Sequence, residues 1–360
     1  MAELVPARMR AVLLTGNGGF DKLAYTNNFP TPQPCVGEVL IRIGAAGVNN
    51  TDINTRTAWY SKSVTQSTGA AGTEGFAAAK TEDSGWTGAV PHFPRIQGAD
   101  ACGRIVAVGE GVNASRIGER VLVEPVFRSS TPYQATYFGS EVDGAFADYA
   151  CAPSAYTHAI ESTLSDAELA SFPCAYSAAE NMLTRANLKA QERVLITGAS
   201  GGVGSAAVQL AKHRGAHVTE ICGADKTSQV EALGADLVVS RDVDLRAAVG
   251  EEQIDVVIDV VGGTQFGALL SILKRGGRYA VAGAISGPVV ELDLRTLYLK
   301  DLRLLGCTIL EPMVFPNLIR AITRGDIKPL VAATFPLSEI IAAQQVFLSK
   351  RHVGKIVLIP

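Results

Sequence analysis

The stretch RVLITGASGGVG, residues 193–204, is followed directly by SAAVQLAKHRG, residues 205–215. A short continuous apolar run, a glycine-rich turn and an amphipathic helix stand in the order of a strand, a phosphate loop and a helix N-terminus. Gly201 is expected to permit the tight turn and Gly202 to let backbone N–H groups approach a pyrophosphate. Gly204 is expected to let helix and strand pack closely. With Ser200 and Val203 these residues form a candidate dinucleotide site, because a helix N-terminus offers unpaired donors and a positive dipole end.

Reading outward from this loop, AHVTEIC, DLVVS, IDVVIDVVGG and RYAVAGAI alternate with helical segments, the pattern of βαβ units and a parallel sheet. The tip of the second strand, Ile221-Cys222-Gly223, carries no acid to hold a ribose 2′-OH, and Lys226 follows it. A neutral tip beside a lysine suits the 2′-phosphate of NADP, although Glu220 and Asp225 stand close by in sequence. Val260, Ala282 and Gly283, after the later strands, complete the expected cofactor set alongside Cys222 and Gly223.

At 360 residues and 47% hydrophobic the chain is long enough for roughly two domains, each with its own core. Its 32 Lys+Arg against 35 Asp+Glu give a net charge of −3 with 19% of residues charged, so no electrostatic footprint for nucleic acid or an anionic membrane is present. The longest charge-free stretch, Val194–Ala211, coincides with the glycine loop and reads as soluble. The N-terminal MAELVPARMRAVLL lacks a long apolar segment with a cleavage site, which points to the cytoplasm. Six scattered cysteines without a CxxC pair argue against a disulfide framework or a four-cysteine zinc knuckle.

Residues 1–150 read as strands broken by turn signals (RAVLL, GEVLIRIGAAGV, CGRIVAVG, ERVLVEPV, GAFADYACAP), a barrel-like antiparallel unit. Residues 57–95 interrupt it without periodicity. They form either a plain surface loop or, given Trp59, Tyr60, Phe76 and Trp86, a segment that covers substrate. Helices begin near Ser165, an N-cap candidate, and the chain ends in helices and a last strand, KIVLI.

The segments GEVLIRIGAAGVNNTD, QGADACGRIVAVGEGV, GERVLVEP, GAFADYACAP, GASGGVG, DVVIDVVGG, KRGGRYAVAG and HVGKIVLIP stand in the order found in medium-chain dehydrogenases/reductases. The chain resembles the quinone-oxidoreductase-like members of that superfamily over nearly its whole length. The resemblance implies an α/β fold: a GroES-like β-barrel catalytic domain plus a Rossmann doubly wound parallel-sheet domain. The expected boundaries are 1–160 and 311–360 for the former and 161–310 for the latter, with the active site in a cleft between domains.

Zinc-dependent relatives of this kind hold a catalytic metal with a Cys, a His and a later Cys. The matching positions here are Asn49, Ala99 and Cys174, and no four-cysteine loop follows Val123-Glu124-Pro125. One thiol cannot hold a tetrahedral zinc, and Cys102 is expected to project away from Asp100, so no metal is expected.

Without that Lewis acid, hydride addition to a quinone, enone or related activated double bond is more accessible than simple alcohol oxidation. The candidate catalytic residues are Asn49 as an amide donor, Thr51 as a proton-relay hydroxyl, Asp52 and Tyr60. The structural alternative for Asn49 and Asp52 is a helix cap. Tyr176 and Ser177 either face the nicotinamide or belong to the core. An alcohol dehydrogenase and a non-catalytic, crystallin-like nucleotide binder stand as rival functions. The resemblance also implies a homodimer, paired through the apolar strand near Leu302–Ile309.

Overall fold

Short runs of β-branched and leucine residues separated by helices dictate a sheet buried on both faces. The computed structural model, which describes residues 4–360, contains such a sheet. Its strands are Arg193–Thr197, His217–Cys222, Leu237–Ser240, Ile254–Asp259, Leu273–Val281 and Arg303–Gly306. Numbered in chain order they lie 3-2-1-4-5-6, all parallel, so the order reverses at the strand that carries the glycine loop. Leu195, Val257, Ile254, Phe266, Leu270 and Tyr279 build one core face of this sheet. The fifth strand begins at Leu273, so Lys274-Arg275-Gly276-Gly277 belong to it and not to the preceding helix, which ends at Ile272.

The chain divides into two compact units: Met1–Val64, Ala71–Cys174 and Phe315–Pro360 form one, and Thr65–Ala70 with Ala175–Val314 form the other. In the first unit the long strand Glu38–Val48 pairs antiparallel with Cys102–Val108, Tyr149–Pro153 and the last strand, Lys355–Ile359. Leu40, Ile41, Val48, Ile105, Phe146 and Ile356 fill its core. The closing register sets Ile356 opposite Val48, which brings Lys355 alongside Asn49.

After the helix Asn50–Thr57, the rest of residues 57–95 contain a 3-10 turn at Thr81–Asp83 and the start of a two-residue strand, Arg95–Ile96. They are nonetheless tied down. Arg56, fully buried, donates to the carbonyls of Gly18 and Gly72 and to Gln344 Oε1, and its guanidinium sits over the Phe20 ring. Ser63 Oγ donates to Ala78 O at 2.6 Å, and Thr68 N–H donates to Ile285 O at 3.0 Å within the second unit. Among the described residues no helix is long and apolar enough to cross a membrane.

Candidate active site

The glycine loop closes around Gly198, whose φ of +64° makes it the residue that needs glycine's freedom in this turn. Gly201, expected in that role, has φ −82°, and a Cβ there would meet only Gly198 O at 3.4 Å. The tight turn therefore sits three residues earlier than expected. A Cβ on Gly204 would lie 2.2 Å from Gly198 O and 2.7 Å from Ala199 Cα, so Gly204 lets the helix Gly202–His213 press against the turn.

The ends of the neighbouring strands converge on this loop. Val260 and Val261 side chains come within 3.3 and 3.1 Å of a Cβ built on Gly198, and a Cβ on Gly283 would meet Val260 O at 3.0 Å. Ala282 N–H donates to Asp259 O. The buried Asp259 carboxylate organises the bend: it accepts from Thr197 Oγ1 at 2.5 Å, from the N–H groups of Val261 and Gly262, and from the Tyr279 hydroxyl. Polar residues ending parallel strands were a readable signal for Thr197 and Asp259, but nothing in their local sequence joined them to Tyr279.

At the second strand's tip, Glu220 is fully buried and neither carboxylate oxygen has a hydrogen-bond partner; burial pushes its carboxyl up to about 8. Cys222 is buried too, and its thiol is raised chiefly by desolvation. Gly223 is flanked instead by Asp225 Oδ1 and by the Arg241 guanidinium, 2.7 and 3.3 Å from where a Cβ would stand. Arg241 follows the third strand, and its backbone N–H donates to Cys222 O. Its guanidinium is exposed and makes no hydrogen bond or ion pair among the described residues. Sequence reading passed over Arg241, because only the pairing of the third strand with the second carries it to the tip.

Helix N-terminus, glycine turn and converging strand ends fit a nicotinamide dinucleotide. Ser200, Gly201, Gly202, Val203 and Gly204 would face its pyrophosphate. Tyr176 and Ser177 belong to the core: both are 1% exposed, and Tyr176 Oη accepts from Gln209 Nε2.

In the first unit the positions of the metal ligands hold a lysine-centred network. Asp100, fully buried, accepts from Lys355 Nζ at 2.7 Å, from Asn49 Nδ2 at 2.8 Å and from Cys174 N–H at 2.5 Å. Lys355 also donates to Asn49 Oδ1 and to Val48 O. Ala99 contributes only a methyl group. An amide, a methyl and one thiol beside a buried ammonium do not make a zinc site: too few donors remain for a tetrahedral metal, and the ammonium would repel a cation. Cys102 lies apart, with its Sγ 3.6 Å from Asp166 Oδ1.

This network corrects two expectations. Asn49 has no free donor for a substrate, because its Nδ2 is bound to Asp100 and Gly47 O while its Oδ1 receives Lys355. The donor-only ammonium and the acceptor-only carboxylate leave one amide orientation. Asp52 is a cap: it is 2% exposed and accepts from the N–H groups of Asn49 and Gly98, entering the helix Asn50–Thr57. Burial pushes its carboxyl up to about 7 against those two donors.

Thr51 and Tyr60 are brought together. Both are partly exposed, and the Tyr60 hydroxyl donates to Thr51 Oγ1 at 3.2 Å. Burial raises the phenol to about 12, so it remains a donor through the neutral range. Thr51, having accepted from Tyr60, keeps its own hydrogen for another acceptor. Sequence reading missed Lys355, buried in KIVLI. A lone lysine opening an otherwise apolar strand was the available signal.

Comparison with known proteins agrees with this architecture. Residues 36–162 match the alcohol dehydrogenase GroES-like domain, and residues 202–324 match the zinc-binding dehydrogenase domain. A candidate alcohol dehydrogenase from Sinorhizobium meliloti 1021 superposes with a TM-score of 0.88 at 45% identity, covering 99% of this chain and 98% of that one. Human quinone oxidoreductase is 28% identical over 98% of both chains. Acryloyl-coenzyme A reductase of Metallosphaera sedula is 28% identical over 97% of this chain and 99% of its own. Loop, sheet order, GroES-like unit and relatives converge: the chain is an oxidoreductase belonging to the medium-chain dehydrogenase/reductase superfamily.

Proposed function

We propose that this protein is a zinc-independent, NADPH-dependent reductase of quinones, enones or related activated double bonds. The observation that carries the reading is the lysine-centred network, which replaces a metal's donor set while leaving the Thr51–Tyr60 hydroxyl pair beside it. Bound NADPH would supply a hydride. A conjugated acceptor spreads the developing negative charge onto oxygen, so it needs hydrogen-bond donors and a proton more than a Lewis acid. Thr51 is the hydroxyl placed to give that proton, with Tyr60 to replenish it. Simple alcohols and aldehydes lack such delocalisation and should be poor substrates.

The choice of NADP over NAD rests on Arg241 and Lys226 at a tip from which Glu220 is withdrawn. Substituting Arg241→Glu is expected to weaken NADPH about ten- to hundredfold, the loss of one charge-assisted contact, with a far smaller change for NADH. Steady-state kinetics with both cofactors against a panel of quinones, enones and simple aldehydes tests the whole reading. Preference for NADH, governed by Asp225, would reverse the cofactor assignment. Stoichiometric zinc with turnover of simple alcohols would make the protein an alcohol dehydrogenase. Tight NADPH binding without turnover would favour the crystallin-like role.

The sixth strand, Arg303–Gly306, lies at the sheet edge with Leu304 half-exposed, close in sequence to Leu294, Tyr298 and Leu299, which are more than half exposed. An open edge beside apolar side chains invites pairing across a two-fold axis. We expect a homodimer by sedimentation at micromolar concentration, and a monomer there would overturn this assembly.

A further inference from the structure

We propose that Trp86 and Tyr137 form an aromatic wall of the substrate site, which selects planar conjugated rings over open-chain acceptors. The inference rests on the reductase reading above and narrows its substrate class.

The indole of Trp86, carried by the 57–95 segment, stacks on the Tyr137 ring with centroids 4.6 Å apart and planes 28° apart. Tyr137 is buried, and its hydroxyl lies 3.1 Å from Cys174 Sγ, on the residue whose N–H binds Asp100. Its phenol is raised mainly by burial, and the Cys174 contact sets its polar end one residue away from the Asp100–Lys355 network. Trp86 is only partly buried, which leaves indole surface for a ligand.

The stack is held on both sides. Glu141 Oε1 accepts from Thr87 N–H and Oγ1 at 3.0 and 3.1 Å, while its Oε2 accepts from Tyr137 N–H at 3.2 Å. One carboxylate thereby clamps the residue after Trp86 to the backbone of Tyr137. Ser84, fully buried, anchors the chain two residues earlier through Asn17 Oδ1 and Thr81 O. An indole fixed in this way presents a flat, polarisable surface at little entropic cost, and offset stacking rewards a planar ring beyond its buried area. An open-chain enone offers no such face.

The test compares a naphthoquinone with methyl vinyl ketone as NADPH-linked acceptors. Trp86→Ala is expected to lower kcat/KM for the naphthoquinone at least about tenfold more than for methyl vinyl ketone, and Trp86→Phe, which keeps a ring, should restore most of the preference. An unchanged ratio in Trp86→Ala would overturn the wall while leaving the reductase reading intact. If the wild type reduces neither acceptor, the reductase reading fails, and binding decides the wall separately. The chain has two tryptophans, so Trp59→Phe leaves Trp86 as the sole indole. Saturable quenching of its emission by the naphthoquinone supports the wall, and strictly linear collisional quenching refutes it.

Discussion

Replacing Lys355 by methionine is expected to lower the unfolding free energy by about 3–5 kcal/mol, the cost of stranding a buried charge whose partner has been removed. Lys355 and Asp100 are 5% and 0% exposed at the side chain and 2.7 Å apart. Methionine fills much of the same volume, so the loss is electrostatic and not a cavity effect. Asp100 would keep its bonds from Asn49 and Cys174 but lose its counter-charge, while Asn49 Oδ1 would lose its donor.

The double variant Lys355→Met with Asp100→Asn removes both charges and should recover most of that loss, since a neutral pair pays little desolvation. Urea unfolding of the wild type, both single variants and the double variant gives the coupling directly. Additive losses would show that the two residues do not form the pair, and a loss under about 1 kcal/mol for Lys355→Met would place the ammonium in solvent.

Thr51→Val is expected to lower kcat for an enone by about 100-fold or more, within the usual range for removing a positioned proton donor. Valine is close to isosteric, so binding should change less than kcat. Thr51→Ser keeps the hydroxyl and should retain much of the activity. Tyr60→Phe leaves Thr51 able to donate but without its own donor, so its loss should be smaller. Because the Tyr60 phenol is raised to about 12, the wild-type rate should show no phenol ionisation below about pH 10. A Thr51→Val enzyme with near wild-type kcat would remove the relay from the chemistry.

The two halves of the molecule were legible to different degrees. In the nucleotide unit, strand, glycine turn and helix are contiguous, and each residue's periodicity matches its local structure. The loop was therefore readable, although the strain falls on Gly198 and not on Gly201. The Asn49–Asp52 segment was readable as a helix start, and the choice between cap and catalytic group turned on hydrogen bonds made across the fold. Asn49 had the right chemistry for a donor, but its neighbours had already engaged it.

From the amino-acid sequence came the parallel sheet and the glycine turn, which rest on local pattern, and, through the family resemblance, the absence of metal ligands at Asn49 and Ala99, which rests on the identity of single residues. Only the tertiary structure decided what stands in the metal's place. Antiparallel pairing of Ile356 with Val48 joins Lys355 to Asn49 across 306 residues of chain, and Asp100, just before the strand Cys102–Val108, bonds to both. In the same way, strand pairing carries Arg241 to Gly223, and the Glu141 clamp lays Trp86 on Tyr137. Periodicity reports which face of an element is buried, but it carries no information on which distant charge a buried group will meet.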